Sequence, residues 1–438
     1  MVNYLKQVFL GLFCVAIVTA CGSGLCPLKN STGLCVASGS GGWSSPIGVL
    51  DTSFGSGAGY VQTAVGGFSD EIKSVVIQSD GKIVAGGVAT SATQDFAVVR
   101  YNSDGSLDTS FGTTGIVTTA VGATTDVGRS AALQSDGKIV LVGNVSMGNI
   151  DFGLVRYNTD GSVDTNFNTT GNVTTDLGSA TDYAYGVGIQ LDGKIVAGGR
   201  RNTAFATARY HSNGSLDTTF NGTGSVFGAF NGNATAVNIQ PDGKILVGGY
   251  DSTGVIVYAV VRYNTDGSLD TTFNGTGKVT TALGVVGDNA NAMALQPDGK
   301  IILGGNTTVG AIQHFGVVRY NTDGSLDTTF NGTGTVTTVI GADLSNIYAL
   351  ALQADNKIIA AGRYRVAGVY DFAIVRYNTD GSLDTSFGTG GIYTAHIGPG
   401  TCGDFANAVA VLPNGKIVAA GMLDVGGCNR IFAVMRLR

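Results

Sequence analysis

The sequence predicts an all-β chain, on three observations: a composition suited to turns, short apolar runs bounded by turn residues, and one unit that recurs along most of the length. Of the 31 acidic residues in 438, only Glu71 is a glutamate. Glutamate favours helices whereas Asp and Gly favour turns, so this balance, with 69 glycines, argues against helical and doubly wound α/β architectures. Charged residues make up 13% and apolar ones 43%, too little charge for a disordered polymer and enough Val and Ile for an extensive core. A formal net charge of −6 offers no basic footprint, so no nucleic-acid partner is expected.

Residues 1–20 carry one charge, Lys6, ahead of an apolar run from Val8 to Ala20. That run is too short and wrongly flanked for a membrane span and reads as a signal peptide. It ends in Val18-Thr19-Ala20-Cys21, which resembles the lipobox of bacterial lipoproteins, with Val18 where that family prefers Leu. The resemblance implies cleavage before Cys21, acyl chains on its new N-terminus and stable membrane anchoring; Gly22 after the Cys favours the outer membrane in that family. Residues 21–46 are rich in Gly and Ser and read as a flexible tether. Cys26 and Cys35 within it are candidates for a small disulfide loop in an oxidising compartment.

From Ile47 onward one unit repeats. Leu/Val-Asp-Thr-x-Phe places Asp at 51, 108, 164, 217, 270, 327 and 384; Asp-Gly-Lys or a close variant ends at Lys82, Lys138, Lys194, Lys244, Lys300, Lys357 and Lys416. An arginine recurs at Arg100, Arg156, Arg209, Arg262, Arg319, Arg376 and Arg436. Val260 to Gly277 and Val317 to Gly334 are identical, so duplication produced the pattern. Each unit holds four strand signals; in the second they fall at 116–121, 130–134, 138–143 and 152–157, the middle pair joined by Ser135-Asp136-Gly137, an Asp-Gly hairpin signal in which both turn residues can adopt positive φ. Runs such as Lys138-Ile139-Val140-Leu141-Val142 suit sheets covered on both faces.

Four antiparallel strands per unit, stacked against like neighbours, predict a seven-bladed β-propeller over residues 47–438. The units resemble the bacterial delta-60 repeat, a propeller family of undefined function. The last unit stops after Ile431 to Arg436 without its fourth strand, while Gly48 to Phe54 leads into a strand at Tyr60 to Val65 that has no unit of its own. The N-terminal strand is therefore expected to complete the last blade and close the ring, leaving no unpaired edge.

Three sets of residues are candidates for chemistry. The seven arginines should be half buried between blades and need fixed carboxylate partners, which Asp51, Asp108, Asp164, Asp217, Asp270, Asp327 and Asp384 match in number, with Arg436 paired to Asp51. Calcium binding by Asn102-x-Asp104-Gly105-x-x-Asp108 is the rival reading, disfavoured by Arg100 where a carboxylate should begin the loop. The second set, Asp70, Asp126, Asp182, Asp288 and Asp404, stands twelve residues before the marker lysines, with Gly232 and Ser345 in the other two units. These carboxylates could ring one mouth of the central channel and hold Ca²⁺ or a polar ligand, or satisfy their own loops' backbone N–H groups; no other cofactor is implied. Third, Cys402 and Cys428 lie in variable loops of the last blade on one face, where a disulfide could staple the closure.

Among chemistries not signalled, His211, His314 and His396 show no zinc spacing and read as surface or loop residues, and no nucleophile elbow is present. The expected function is a lipid-anchored, monomeric envelope module that binds a protein or glycan through variable loops on a rigid scaffold. Alternatives are a metal-dependent hydrolase or lactonase-like enzyme at the channel mouth, and a purely structural envelope protein.

Overall fold

The computed structural model describes residues 47–178 and 181–438. The expected signal peptide, the lipidated Cys21, and Cys26 and Cys35 lie outside the described residues. The described chain forms seven four-stranded antiparallel sheets arranged as a seven-bladed β-propeller. Its one helical element is a short 3-10 turn at Gly55–Gly57. No helix among the described residues is long and apolar enough to cross a membrane.

Blade 1 shows the pattern: inner strand Glu71–Ile77, second strand Ile83–Thr90, third strand Gln94–Tyr101 and outer strand Ile116–Thr119. The second strand is buried along nearly its whole length because a neighbouring blade covers each face. The outer strand is partly exposed, as is expected at the rim. Seven hydrophobic clusters fill the seven seams, and each draws side chains from two adjacent blades. The hairpin between the first two strands differs from the expected turn. Only its glycine has positive φ (Gly137, +83°), and Gln134 N–H donates to Lys138 O while Gly137 N–H donates to Gln134 O, both at 2.9 Å. That is the three-residue loop with a glycine bulge rather than a two-residue turn with both residues left-handed.

The ring closes through strand Tyr60–Thr63, which pairs antiparallel with the third strand of blade 7, Arg430–Leu437, in the register Tyr60↔Met435 to Thr63↔Phe432. The seam continues as in every other blade: Leu50 bridges Leu437, as Leu107 bridges Tyr101, and Asp51 N–H donates to Arg436 O at 2.8 Å. Tyr101 donates across the closure to Thr63 Oγ1 (2.8 Å), repeating the contacts of Tyr157 with Thr119 and Tyr210 with Thr175 at other seams.

One irregularity recurs. Each inner strand shifts register near its start, between Ile72 and Ser74 in blade 1 and at the matching residues of the other six. A glycine on the second strand allows it: a Cβ on Gly87 would overlap the carbonyl oxygen of Glu71, and the same holds for Gly143 against Val127 and Gly305 against Asn289. The bulge leaves one residue per blade outside the ladder and re-aims its side chain, which decides what faces the axis.

Candidate functional site

The repeated arginines and aspartates form clasps on the rim. Arg100 Nε donates to Asp108 Oδ2 at 2.7 Å, and the same bond joins Arg156 to Asp164, Arg209 to Asp217, Arg262 to Asp270, Arg319 to Asp327 and Arg376 to Asp384 at 2.7–2.8 Å. Arg436 and Asp51, from opposite ends of the chain, make it at 2.7 Å. All fourteen side chains are buried, deeper than the half-burial expected for the arginines. Each guanidinium also stacks on the phenylalanine of its motif, as Arg100 does on Phe111 at 4.6 Å. A second nitrogen reaches a carbonyl of the next blade, as from Arg100 to Thr159 and from Arg436 to Ser103. Arg376 instead reaches Gln353 Oε1 at 3.4 Å, within its own blade.

The marker lysine adds a second cation to each clasp: Lys82 Nζ lies 3.1 Å from Asp108 Oδ2, and Lys416 Nζ 2.7 Å from Asp51 Oδ2. Burial pushes these carboxyls up, yet bonds from Ser or Thr, lysine and arginine outweigh it and hold Asp108 and Asp270 well below the usual carboxylate range. The residues of the rival calcium reading are occupied in the same way, with Asp104 Oδ1 accepting from Ser106 N–H and its hydroxyl.

Asp70, Asp126, Asp182, Asp288 and Asp404 do not form a crown around the channel. They are 0–1% exposed and turned into the loops that precede their strands. Asp70 Oδ2 accepts from the N–H groups of Val65 and Gly66, and its Oδ1 from Thr90 N–H, all at 2.9 Å. Asp126, Asp288 and Asp404 repeat this arrangement, and Asp182 accepts from Leu177 N–H at 2.9 Å. The reason is strand alternation: the next residue faces the axis, so the aspartate faces away. Cys402 and Cys428 form a disulfide across the loops of blade 7, with Cα atoms 5.2 Å apart. His314 departs from the surface placement expected of it, being 8% exposed in its third strand.

What lines the channel mouth is a different set. On the face that carries the outer-to-inner and second-to-third connections, a cavity of about 860 Å³ opens onto the axis. The residue after each buried aspartate position supplies one tier, including Glu71, Asn233, Asn289, Asn346 and Phe405. The bulged residues supply the next: Lys73, Arg129, Tyr185, Thr235, Asn291, Tyr348 and Asn407. Three of these stitch the ring, since Thr235, Asn291 and Asn407 each donate to a carbonyl of the following blade at 2.8–3.0 Å. Lys73, Arg129, Tyr185 and Tyr348 make no such stitch. Below them the channel is lined by residues such as Ser74, Gly186, Ala236 and Ala349.

The mouth is cationic and aromatic. Lys73, Arg129, Arg363 and Arg430 stand against the single carboxylate of Glu71. Burial raises that carboxyl, but Lys73 and Arg430, the latter donating at 3.0 Å, hold it below its ordinary value and so ionised. Arg129 lies 4.9 Å from the Tyr185 ring centroid, and Tyr183 and Tyr185 stack with ring planes 11° apart. Arg363 lies 4.1 Å over Tyr370 and 4.7 Å over Phe405. The buried Nε atoms of Arg363 and Arg430 have no protein acceptor among the described residues. Burial pushes the Tyr185 and Tyr348 phenols up, so they act as neutral hydrogen-bond donors. Such a surface can bind a polyhydroxylated or anionic group through amide hydrogen bonds, ring stacking and guanidinium contacts. Sequence reasoning missed these residues, although a glycine five residues after each marker lysine signals the bulge that aims them.

No curated protein matches the sequence. Among solved structures the chain is similar to virginiamycin B lyase from Staphylococcus aureus, at 9% identity over 86% of this chain and 98% of that one, with a TM-score of 0.48. It is also similar to an ulvan lyase of a polysaccharide lyase family (11%, 85% and 95%, TM-score 0.45) and to a protein of unknown function from Dyadobacter fermentans (12%, 87% and 99%, TM-score 0.44). A family described as a domain of unknown function (DUF5122) beta-propeller matches six segments: 78–111, 134–167, 190–220, 240–273, 296–330 and 353–387. The seventh copy of that segment is split between Leu412–Leu437 and Leu50–Phe54, at opposite ends of the chain. With seven blades of this unit closed into one ring, the chain belongs to the DUF5122 β-propeller family.

Proposed function

We propose that this propeller is a monomeric binding module of the bacterial cell envelope, tethered by a lipid on Cys21, which takes an acidic, polyhydroxylated ligand such as a uronate-bearing glycan at the channel mouth. One observation carries the reading: the mouth combines four cations, one carboxylate, four tyrosines and a row of asparagines in a chain whose net charge is −6. Cations gathered against the overall charge mark a place where attraction to an anion is concentrated. The aromatic faces and amides suit sugar rings and hydroxyls. The lipobox-like segment ending at Cys21 supports the envelope address.

Titration calorimetry with a uronate oligosaccharide and a neutral one of equal length tests the ligand class. Saturable binding to the acidic sugar that weakens with added salt supports it; equal affinity for both, or none for either, contradicts it. Incorporation of labelled fatty acid during expression in a bacterial host, lost on Cys21→Ser, tests the tether.

A further inference from the structure

The seams between blades carry a polar position that differs from seam to seam. It combines the residue before the buried aromatic of a third strand, the residue after the outer strand, and the buried aspartate position of the next blade. Between blades 6 and 7 these are Asp371, His396 and Asp404; between blades 2 and 3 they are Asp151, Asp176 and Asp182. In the first seam the imidazole sits between two buried carboxylates, with Nδ1 at 2.7 Å from Asp371 Oδ1 and 3.9 Å from Asp404 Oδ2. A third carboxylate takes the imidazole's place in the second, and one oxygen from each of the three lies within 4.8 Å of the others.

Two buried carboxylates and a third beside them repel one another unless a cation intervenes. Asp151 is 7% exposed, and its buried Oδ1 has no hydrogen-bond partner among the described residues. Arg201, whose guanidinium is on this loop, donates to Gly178 O at 2.9 Å and forms no ion pair with Asp151 or Asp176. We propose that Asp151, Asp176 and Asp182 form a divalent-cation site that binds calcium and ties blade 2 to blade 3, and that His396 stands in for the ion at the seam of blades 6 and 7. The donors are all carboxylate oxygens, which select hard cations. Calcium accepts irregular oxygen geometry completed by water, and the exposed side of Asp176 admits water, whereas magnesium demands a near-ideal octahedron. This site is separate from the channel mouth and does not depend on its ligand.

The test is calorimetry and thermal unfolding of the purified full chain, stripped with EDTA and titrated with calcium chloride. One calcium per chain is expected, with a rise in melting temperature of about 2–5 °C at saturation. Asp176→Asn, at an exposed position, should weaken binding at least about tenfold, and Asp151→Asn should do the same. His396→Asp should add a second calcium per chain by recreating the three-carboxylate arrangement, while Asp371→Asn alone should leave the single site unchanged. Absence of calcium binding at millimolar concentration overturns the proposal, as does affinity unaltered by both Asp176→Asn and Asp151→Asn.

Discussion

The rim and the axis of this propeller are built from the same repeated unit and use it in opposite ways. On the rim, seven clasps repeat one arrangement of arginine, aspartate and lysine, each with a stacked phenylalanine. At the mouth the bulge also repeats seven times, but the side chain it presents changes from lysine to arginine, tyrosine, threonine and asparagine. Where the unit keeps its residue, the side chain holds two blades together. Where the backbone device is kept and the residue varies, Thr235, Asn291 and Asn407 still stitch neighbouring blades, whereas Lys73, Arg129, Tyr185 and Tyr348 line the cavity without doing so. The difference separates a repeated structural contact from a variable position at the cavity.

Acid should break the rim first. The clasp aspartates titrate below their ordinary 3.8 in the folded chain, so their pairs contribute fully above that pH and are lost as pH falls below it. Urea unfolding should give a stability that is flat from neutral pH to about pH 5 and falls steeply below about pH 4; a profile flat to pH 3 would remove the clasps from the account. Arg262→Ala should cost about 3 kcal/mol, the low end for a broken buried pair, because Lys244 remains 3.1 Å from Asp270. An unchanged melting temperature would show that the pair contributes nothing.

Cys428→Ser should cost about 2–3 kcal/mol by opening a loop of 26 residues, and the same loss should appear in wild type under reducing conditions. The smallest stability effect belongs to the mouth. Arg129→Ala should change unfolding by less than about 2 kcal/mol, since the half-buried Arg129 gives up one hydrogen bond, to Asn144 Oδ1 (2.9 Å), and its contacts over the Tyr183 and Tyr185 rings. A larger loss would make Arg129 a structural residue and blur the contrast between rim and axis.

The ring and its closure were legible because they rest on repetition: Asp51 and Arg436 occupy the same phase of the unit as Asp108 and Arg100, so their pairing follows from alignment alone. The mouth was not, because it depends on a one-residue register shift that alternation does not anticipate. Counting in twos sends Asp70 and its counterparts toward the axis or away from it according to where the strand begins; Glu71 and Lys73 share the axial face, and the bulge then places Ser74 beside Lys73 along the channel. The second cation of each clasp was hidden in the sequence too: Lys82 reads as part of a turn, yet its side chain reaches Asp108.

Titration of Arg262→Ala and Arg129→Ala with the uronate oligosaccharide, at a temperature where both remain folded, separates rim from axis most directly. Arg262→Ala should keep wild-type affinity despite its lowered melting temperature, and Arg129→Ala should lose at least about tenfold in affinity, equivalent to about 1.4 kcal/mol, with a smaller change in melting temperature. Affinity that falls in step with stability in both variants, or that survives Arg129→Ala, would contradict that separation.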